Sequence, residues 1–302
     1  MGGDGDRDKG VTVVIATRDR RRELLHTLQR LRALPERPPI IVVDNGSRDG
    51  TPDVVRNMAK NEGGDLSVVE LGENRGSRAR DVGVEAAATP YVAFADDDSW
   101  WAPGSLATAA ELFDAHPSVA VLAARILVGH AQTLDPLCRE MKESPLGTTD
   151  GLPGPRVLGF VACGAVVRRD AFLDAGGFDE VLFFRCEEGL LAMDLARAGW
   201  DLVYVDDLVA HHHPSPCRDP EAQRAVVLRN DLLTTWMRRP LGVAVDATVE
   251  LVRRARGDPT ARNALRQAAG RFRAALARRW VVPPEVEADL RALTTAAGSP
   301  PR

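Results

Sequence analysis

The sequence predicts an α/β protein: a mostly parallel central sheet flanked by helices, with a C-terminal helical extension. Three observations carry this reading. Short apolar, β-branched runs recur along the first half: Val11–Ala16, Ile40–Val43, Leu66–Leu71, Tyr91–Phe94 and Val119–Ile126. Stretches of helical period alternate with them, at Arg21–Leu34, Thr51–Lys60, Ser77–Ala88 and Gly104–Ala115. Runs that are apolar throughout suit strands covered on both faces, as in parallel sheets. Past Pro220 the pattern is helical and arginine-rich, broken at Pro240, Gly257–Pro259 and Pro283–Pro284.

Composition fits a globular chain and divides it in two. With 302 residues, 44% of them apolar and 27% charged, a sizeable core is available and fibrous or collagen-like classes are excluded. The net charge of −4 hides a split: residues 1–223 carry 24 basic and 36 acidic side chains, and residues 224–302 carry 15 and 7. The organisation expected is a disordered Gly/Asp-rich tail (1–10), an α/β domain (11–219) and a basic helical extension (220–302). Four widely spaced cysteines make neither a disulfide framework nor a zinc knuckle, and are expected as reduced thiols in a cytoplasmic protein. No apolar run approaches the length of a membrane span.

In parallel sheets ligands lie beyond the carboxyl ends of the strands, so the polar residues after each strand are the ones to read. They are Thr17-Arg18-Asp19, Asp44-Asn45-Gly46-Ser47, Glu73-Asn74-Arg75-Gly76 and Asp96-Asp97-Asp98. Turn chemistry accounts for Asn-Gly and Asp-Gly pairs. Three adjacent carboxylates after an apolar strand are different: they repel one another unless a cation is near. In an extended segment Asp96 and Asp98 point the same way and would share a hard divalent cation, with Asp97 turned elsewhere.

Beyond the sheet, residues 127–156 read as a long surface loop. Structure resumes at Val157–Val167, a short helix from Asp170, a helix over Glu187–Ala198 and a strand at Leu202–Val205. Of the neighbours Trp100 and Trp101, one belongs in the core and the other is available as an aromatic wall for a sugar. In an extended segment His211 and His213 share a face, opposite His212.

These motifs, in order and at familiar spacing over residues 11–216, resemble glycosyltransferase family 2, of GT-A fold. The resemblance rests on Val13-Val14-Ile15-Ala16-Thr17-Arg18-Asp19-Arg20, on Val42-Val43-Asp44-Asn45-Gly46-Ser47, on Asn74-Arg75-Gly76 with Arg80-Asp81-Val82-Gly83, and on a DXD-like Phe94-Ala95-Asp96-Asp97-Asp98. It implies an inverting transfer, dependent on Mg2+ or Mn2+, of a hexosyl or deoxyhexosyl group from a UDP-, dTDP- or GDP-linked sugar. The acceptor would be a hydroxyl or amine of a small molecule, glycan or lipid-linked compound. Thr17, Arg18, Asp44, Asn45, Asn74, Arg80, Asp96 and Asp97 would bind the nucleotide-sugar, and Asp96, Asp98 and His211 the metal. Glu188 would be the base with Glu187 beside it, and Trp101 and Gly164 would lie on the acceptor side. Ser215 and Arg218 would assist the phosphates. One departure is Leu190, where many relatives carry a further acid.

Two other classes compete. A sugar-nucleotide nucleotidyltransferase would open with a Gly-rich phosphate loop, and Val11–Arg22 has no glycine. A non-catalytic nucleotide-sugar binding module would need no base. Three readings stand for the basic extension: an appendage packed on the catalytic domain, peripheral contact with anionic lipid, or oligomerisation (a homodimer) or partner contact. Nucleic-acid binding is not expected, because the domain that the extension joins is acidic and no base-stacking motif accompanies the arginines.

Overall fold

β1 (Val11–Thr17), β2 (Ile40–Asp44), β3 (Leu66–Glu70) and β4 (Tyr91–Ala95) form a parallel block, separated by α1 (Arg21–Arg32), α2 (Thr51–Glu62) and α3 (Arg78–Ala86). The computed structural model describes residues 10–62, 65–214, 220–296 and 298. Each central strand is apolar on both faces because helices cover both sides; Val13, Val14, Ile15, Val42 and Val43 are fully buried. The chain continues through β5 (Ser99–Trp101), α4 (Ser105–Ala115), β6 (Val119–Val128), β7 (Thr133–Leu134), α5 (Pro136–Lys142), β8 (Ala165–Arg168) and α6 (Arg169–Asp174). α7 (Glu187–Arg197) and β9 (Asp201–His212) complete the α/β part. The strand order is β3-β2-β1-β4-β8-β6-β9-β5, with β7 beside β6. β8 runs antiparallel between β4 and β6, and β9 is parallel to β6, so the sheet is parallel at one end and mixed at the other.

The structure adds to the sequence reading in two places. The stretch 127–156 contains β7 and α5; the latter is only seven residues long, started by Pro136 and an Asp135 carboxylate that accepts from Leu137 N at 2.9 Å. The strand expected at 202–205 runs on to His212 past Asp206-Asp207, where the register against β6 shifts between Ala124 and Arg125. The expected tail at 1–10 lies, apart from Gly10, outside the described residues, as do Ser215 and Arg218.

The C-terminal helices are α8 (Pro220–Arg238), α9 (Leu241–Ala255), α10 (Pro259–Ala277) and α11 (Pro284–Ala296). They share cores with the α/β part. Leu232, Leu233 and Met237 of α8 pack with Val181, Leu182 and Leu190. Val286 and Leu290 of α11 pack with Leu158 and Met193. Arg238 grips Asp194 of α7 with two bonds of 2.5 and 2.8 Å.

Candidate active site

The carboxyl ends of β1 and β4, the start of α7 and one face of α8 enclose a cleft of about 1150 Å³. Of the sequence-predicted residues, Thr17, Arg18, Asn45, Asn74, Arg80, Asp96, Asp97, Asp98, Glu187 and Glu188 line it. Asp44 lies beneath that lining, paired in register with Thr17. Its buried carboxylate accepts from Ser47 N at 3.1 Å through one oxygen, and the other has no hydrogen-bond partner. Asn45 and Asn74 shape the neighbouring loop: Asn45 accepts from Arg75 N and donates to Gly76 O, and Asn74 accepts from Gly76 N.

The acidic triplet divides its charges among separate partners. Arg80 donates to Asp96 at 2.6 Å, and Arg20 meets Asp97 at 3.0 Å and Asp98 at 2.8 Å. Thr17 donates to Asp97 at 3.0 Å. Burial pushes the Asp97 carboxyl up to about 7; the Arg20 cation opposes this and the flanking Asp96 and Asp98 charges add to it. Arg20 is a residue that sequence reasoning missed, since its role depends on α1 folding back over the triplet.

Opposite stands the acidic pair. Arg80 reaches Glu187 at 3.3 Å, and Glu188 accepts from Ala162 N at 3.2 Å. Burial raises both carboxyls above their ordinary range, Glu187 further through the neighbouring Glu188 charge, while Arg80 draws both down. Burial alone would lower the Arg80 guanidinium, but Asp96, Glu187 and Glu188 hold it raised and charged.

The pair is presented by a segment in unusual backbone. Phe183, Arg185 and Cys186 all have positive φ (66°, 71° and 60°) without being glycine. Fully buried Asn230 of α8 donates to the carbonyls of Leu182, Phe184 and Arg185 at 3.1, 2.9 and 2.6 Å. Ser77 N donates to Phe183 O, and a Cβ at Gly76 would lie 2.0 Å from that same oxygen, so only glycine fits there.

Three expectations are corrected. His211 faces away from the cleft, stacking on Trp100 and bonded to Gln132 at 2.6 Å; strand alternation instead turns His212 inward, 3.4 Å from Asp98. Trp101 is a core residue, fully buried with its indole N–H donating to Phe94 O, so it offers no acceptor wall. Gly164 is buried against Ile126, whose side chain a Cβ would meet at 2.6 Å; close packing, not access, requires it.

The chemistry of these groups fits a donor set for a cation. Asp96, Cys163 and His212 bring ligand atoms within 4.8 Å of one another, with Asp98 beside His212. His212 Nε2 is buried and has no hydrogen bond among the described residues. Carboxylate oxygens and an imidazole suit Mn2+ or Mg2+. Burial holds the Cys163 thiol well above its ordinary range.

Comparison with known proteins agrees with this geometry. The chain is 28% identical over 249 residues to the N-acetylglucosaminyl-diphospho-decaprenol L-rhamnosyltransferase of Mycobacterium tuberculosis, covering 68% of this chain and 79% of the relative. It is 32% identical over 235 residues to the pre-mycofactocin glycosyltransferase of the same organism, covering 73% of this chain but 46% of that protein. Its fold is similar to that of a mannosyltransferase from Pyrobaculum calidifontis solved with GDP-Man and Mn2+ (TM-score 0.59, 21% identity, 95% of this chain and 79% of that one). It is also similar to S. aureus TarS 1-349 (TM-score 0.59, 18% identity, 95% and 87%). Residues 12–176, more than half of the chain and all four strand-end clusters, match the family description Glycosyl transferase family 2. The nucleotidyltransferase and non-catalytic alternatives are thereby set aside, and the chain belongs to glycosyl transferase family 2 as a glycosyltransferase.

Proposed function

We propose that this glycosyltransferase moves a hexosyl or deoxyhexosyl group, with inversion, from a UDP-, dTDP- or GDP-linked sugar to an acceptor hydroxyl or amine in the cytoplasm. The observation that carries this reading is Arg80. One guanidinium spans the cleft from Asp96 on the donor side to Glu187 on the base side, at 2.6 and 3.3 Å. A donor diphosphate and an acceptor seated on its two sides would meet over it. The acceptor named for the decaprenol-linked relative favours a lipid-linked one here.

Asp96 and Asp98 with His212 would hold Mn2+ or Mg2+, and a bound ion supplies Lewis-acid relief of the charge on the departing nucleoside diphosphate. Thr17, Arg18, Asp44 and Asn45 would read the nucleobase and ribose, with Asn74 and Asp97 bordering them. Glu188 takes the acceptor proton: its burial makes the carboxylate a stronger base than an exposed one, and the Ala162 amide fixes its position. Glu187 holds Arg80 in place. The test is thermal shift against UDP, dTDP and GDP with and without Mn2+. One base is expected to raise the melting temperature in a Mn2+-dependent way. Glu188→Gln should keep that shift while turnover falls by about 10²–10⁴-fold. No shift with any of the three would refute the donor assignment, and unchanged turnover in the variant would remove the base.

A further inference from the structure

The outward face of α9 is apolar, and no other described residue covers it. Leu241, Val245, Val249 and Val252 are 60%, 44%, 41% and 45% exposed. At 100° per residue they fall within one narrow stripe, and Arg256 continues the same line at the helix end. The opposite side of α9, through Val243, Ala247 and Leu251, is the face that packs. A surface helix needs one apolar face; this one has two.

Cations accompany the stripe. In α10, which follows after a three-residue connection, Arg262, Arg266 and Arg273 share one helical phase, are exposed and make no ion pair with any described residue. Arg256 is likewise exposed and unpaired among the described residues. Arg262 and Arg256 lie at the same end of the helix pair. An apolar stripe that ends in an exposed arginine, on a helix joined by a short connection to one with a row of exposed arginines, is the pattern of a helix that lies in a lipid interface.

We infer that α9 seats this protein on an anionic bilayer surface, its apolar stripe among the acyl chains and its arginines among the headgroups. The alternative occupant, a second copy of the chain, is disfavoured by area. A 15-residue helix is about 22 Å long. One narrow stripe of it falls well short of the roughly 800 Å² per partner that a stable interface buries. The arrangement suits the transfer: α9 packs on α8, with Trp236 donating to Thr248 at 2.9 Å, and α8 lines the cleft through Gln223, Val227 and Asp231. Docking would hold the cleft one helix from the surface where a lipid-linked acceptor resides.

The experiment is co-sedimentation of the full chain with vesicles of phosphatidylglycerol and phosphatidylcholine in equal parts, against vesicles of phosphatidylcholine alone. No donor or acceptor is added, so the result is independent of the reaction proposed above. The protein is expected to pellet with the mixed vesicles and to be released by salt. A Val245→Asp/Val249→Asp variant should bind at least about tenfold more weakly. Arg262→Glu/Arg266→Glu should lose the preference for the anionic vesicles. Unaltered melting temperature and circular dichroism would show both variants folded. Binding to neither vesicle, or equal binding by the valine variant, would overturn the proposal. So would a concentration-dependent dimer that the valine variant abolishes while vesicles are ignored.

Discussion

Two histidines one residue apart have opposite surroundings. His212 points at Asp98 inside the cleft, and His211 stacks on Trp100 outside it. Replacing each by alanine therefore separates the sides of β9. His212→Ala should raise the Mn2+ concentration needed for nucleotide-induced stabilisation by about 10–100-fold, whereas His211→Ala should leave it unchanged. Titration of the thermal shift with Mn2+ checks both. The sequence supplied the three histidines and the rule of alternation. It did not supply the phase, because the register of β9 against β5 decides which face is inward, and that register is a long-range pairing of Ser99 with His212. Trp100 and Trp101 posed the same problem: one was bound for the core, and only the pairing with β9 made it Trp101.

Among the elements, the segment 182–186 depends on a helix some forty-five residues later in the chain. Three non-glycine residues with positive φ in four positions are a local cost, and Asn230 offsets it by giving hydrogen bonds to three carbonyls from one amide nitrogen. An isosteric Asn230→Asp would turn a buried carboxylate toward those oxygens. It should cost about 2–4 kcal/mol in denaturant unfolding, more than the roughly 1–3 kcal/mol of Asn230→Ala, which removes the donor and the oxygen that accepts from Arg229 Nε at 2.8 Å. If both variants unfold with wild-type midpoints, the clamp has no energetic role. Most elements were legible from periodicity, since β1 to β4 and α1 to α4 follow the alternation of apolar runs and helical stretches. α5 and the second half of β9 were not. One is too short to show a period, and the other carries Asp206-Asp207 at an irregularity in the sheet.

Taken whole, the molecule ties its basic C-terminal helices to the α/β part rather than appending them. Val181, Leu182 and Leu190 are buried against α8 and its neighbours, and Leu158 and Met193 against α11. A chain ending at residue 219 would expose all five. At about 1.5–3 kcal/mol for each large side chain, that is comparable to the whole stability of a domain, so the truncated protein should be aggregated or unfolded by circular dichroism and gel filtration. Recovery of a cooperative melt at the wild-type temperature would contradict this. The order of strands and helices, the acidic triplet and the likeness to a family were fixed by local spacing and residue type, because periodicity and turn chemistry act over a few residues. Tertiary structure alone decided that Arg20 would neutralise Asp97 and Asp98, that His212 would face inward, and that Asn230 would hold the loop before Glu187. These are contacts between residues tens of positions apart, set by sheet register and helix packing, which no short window of sequence records.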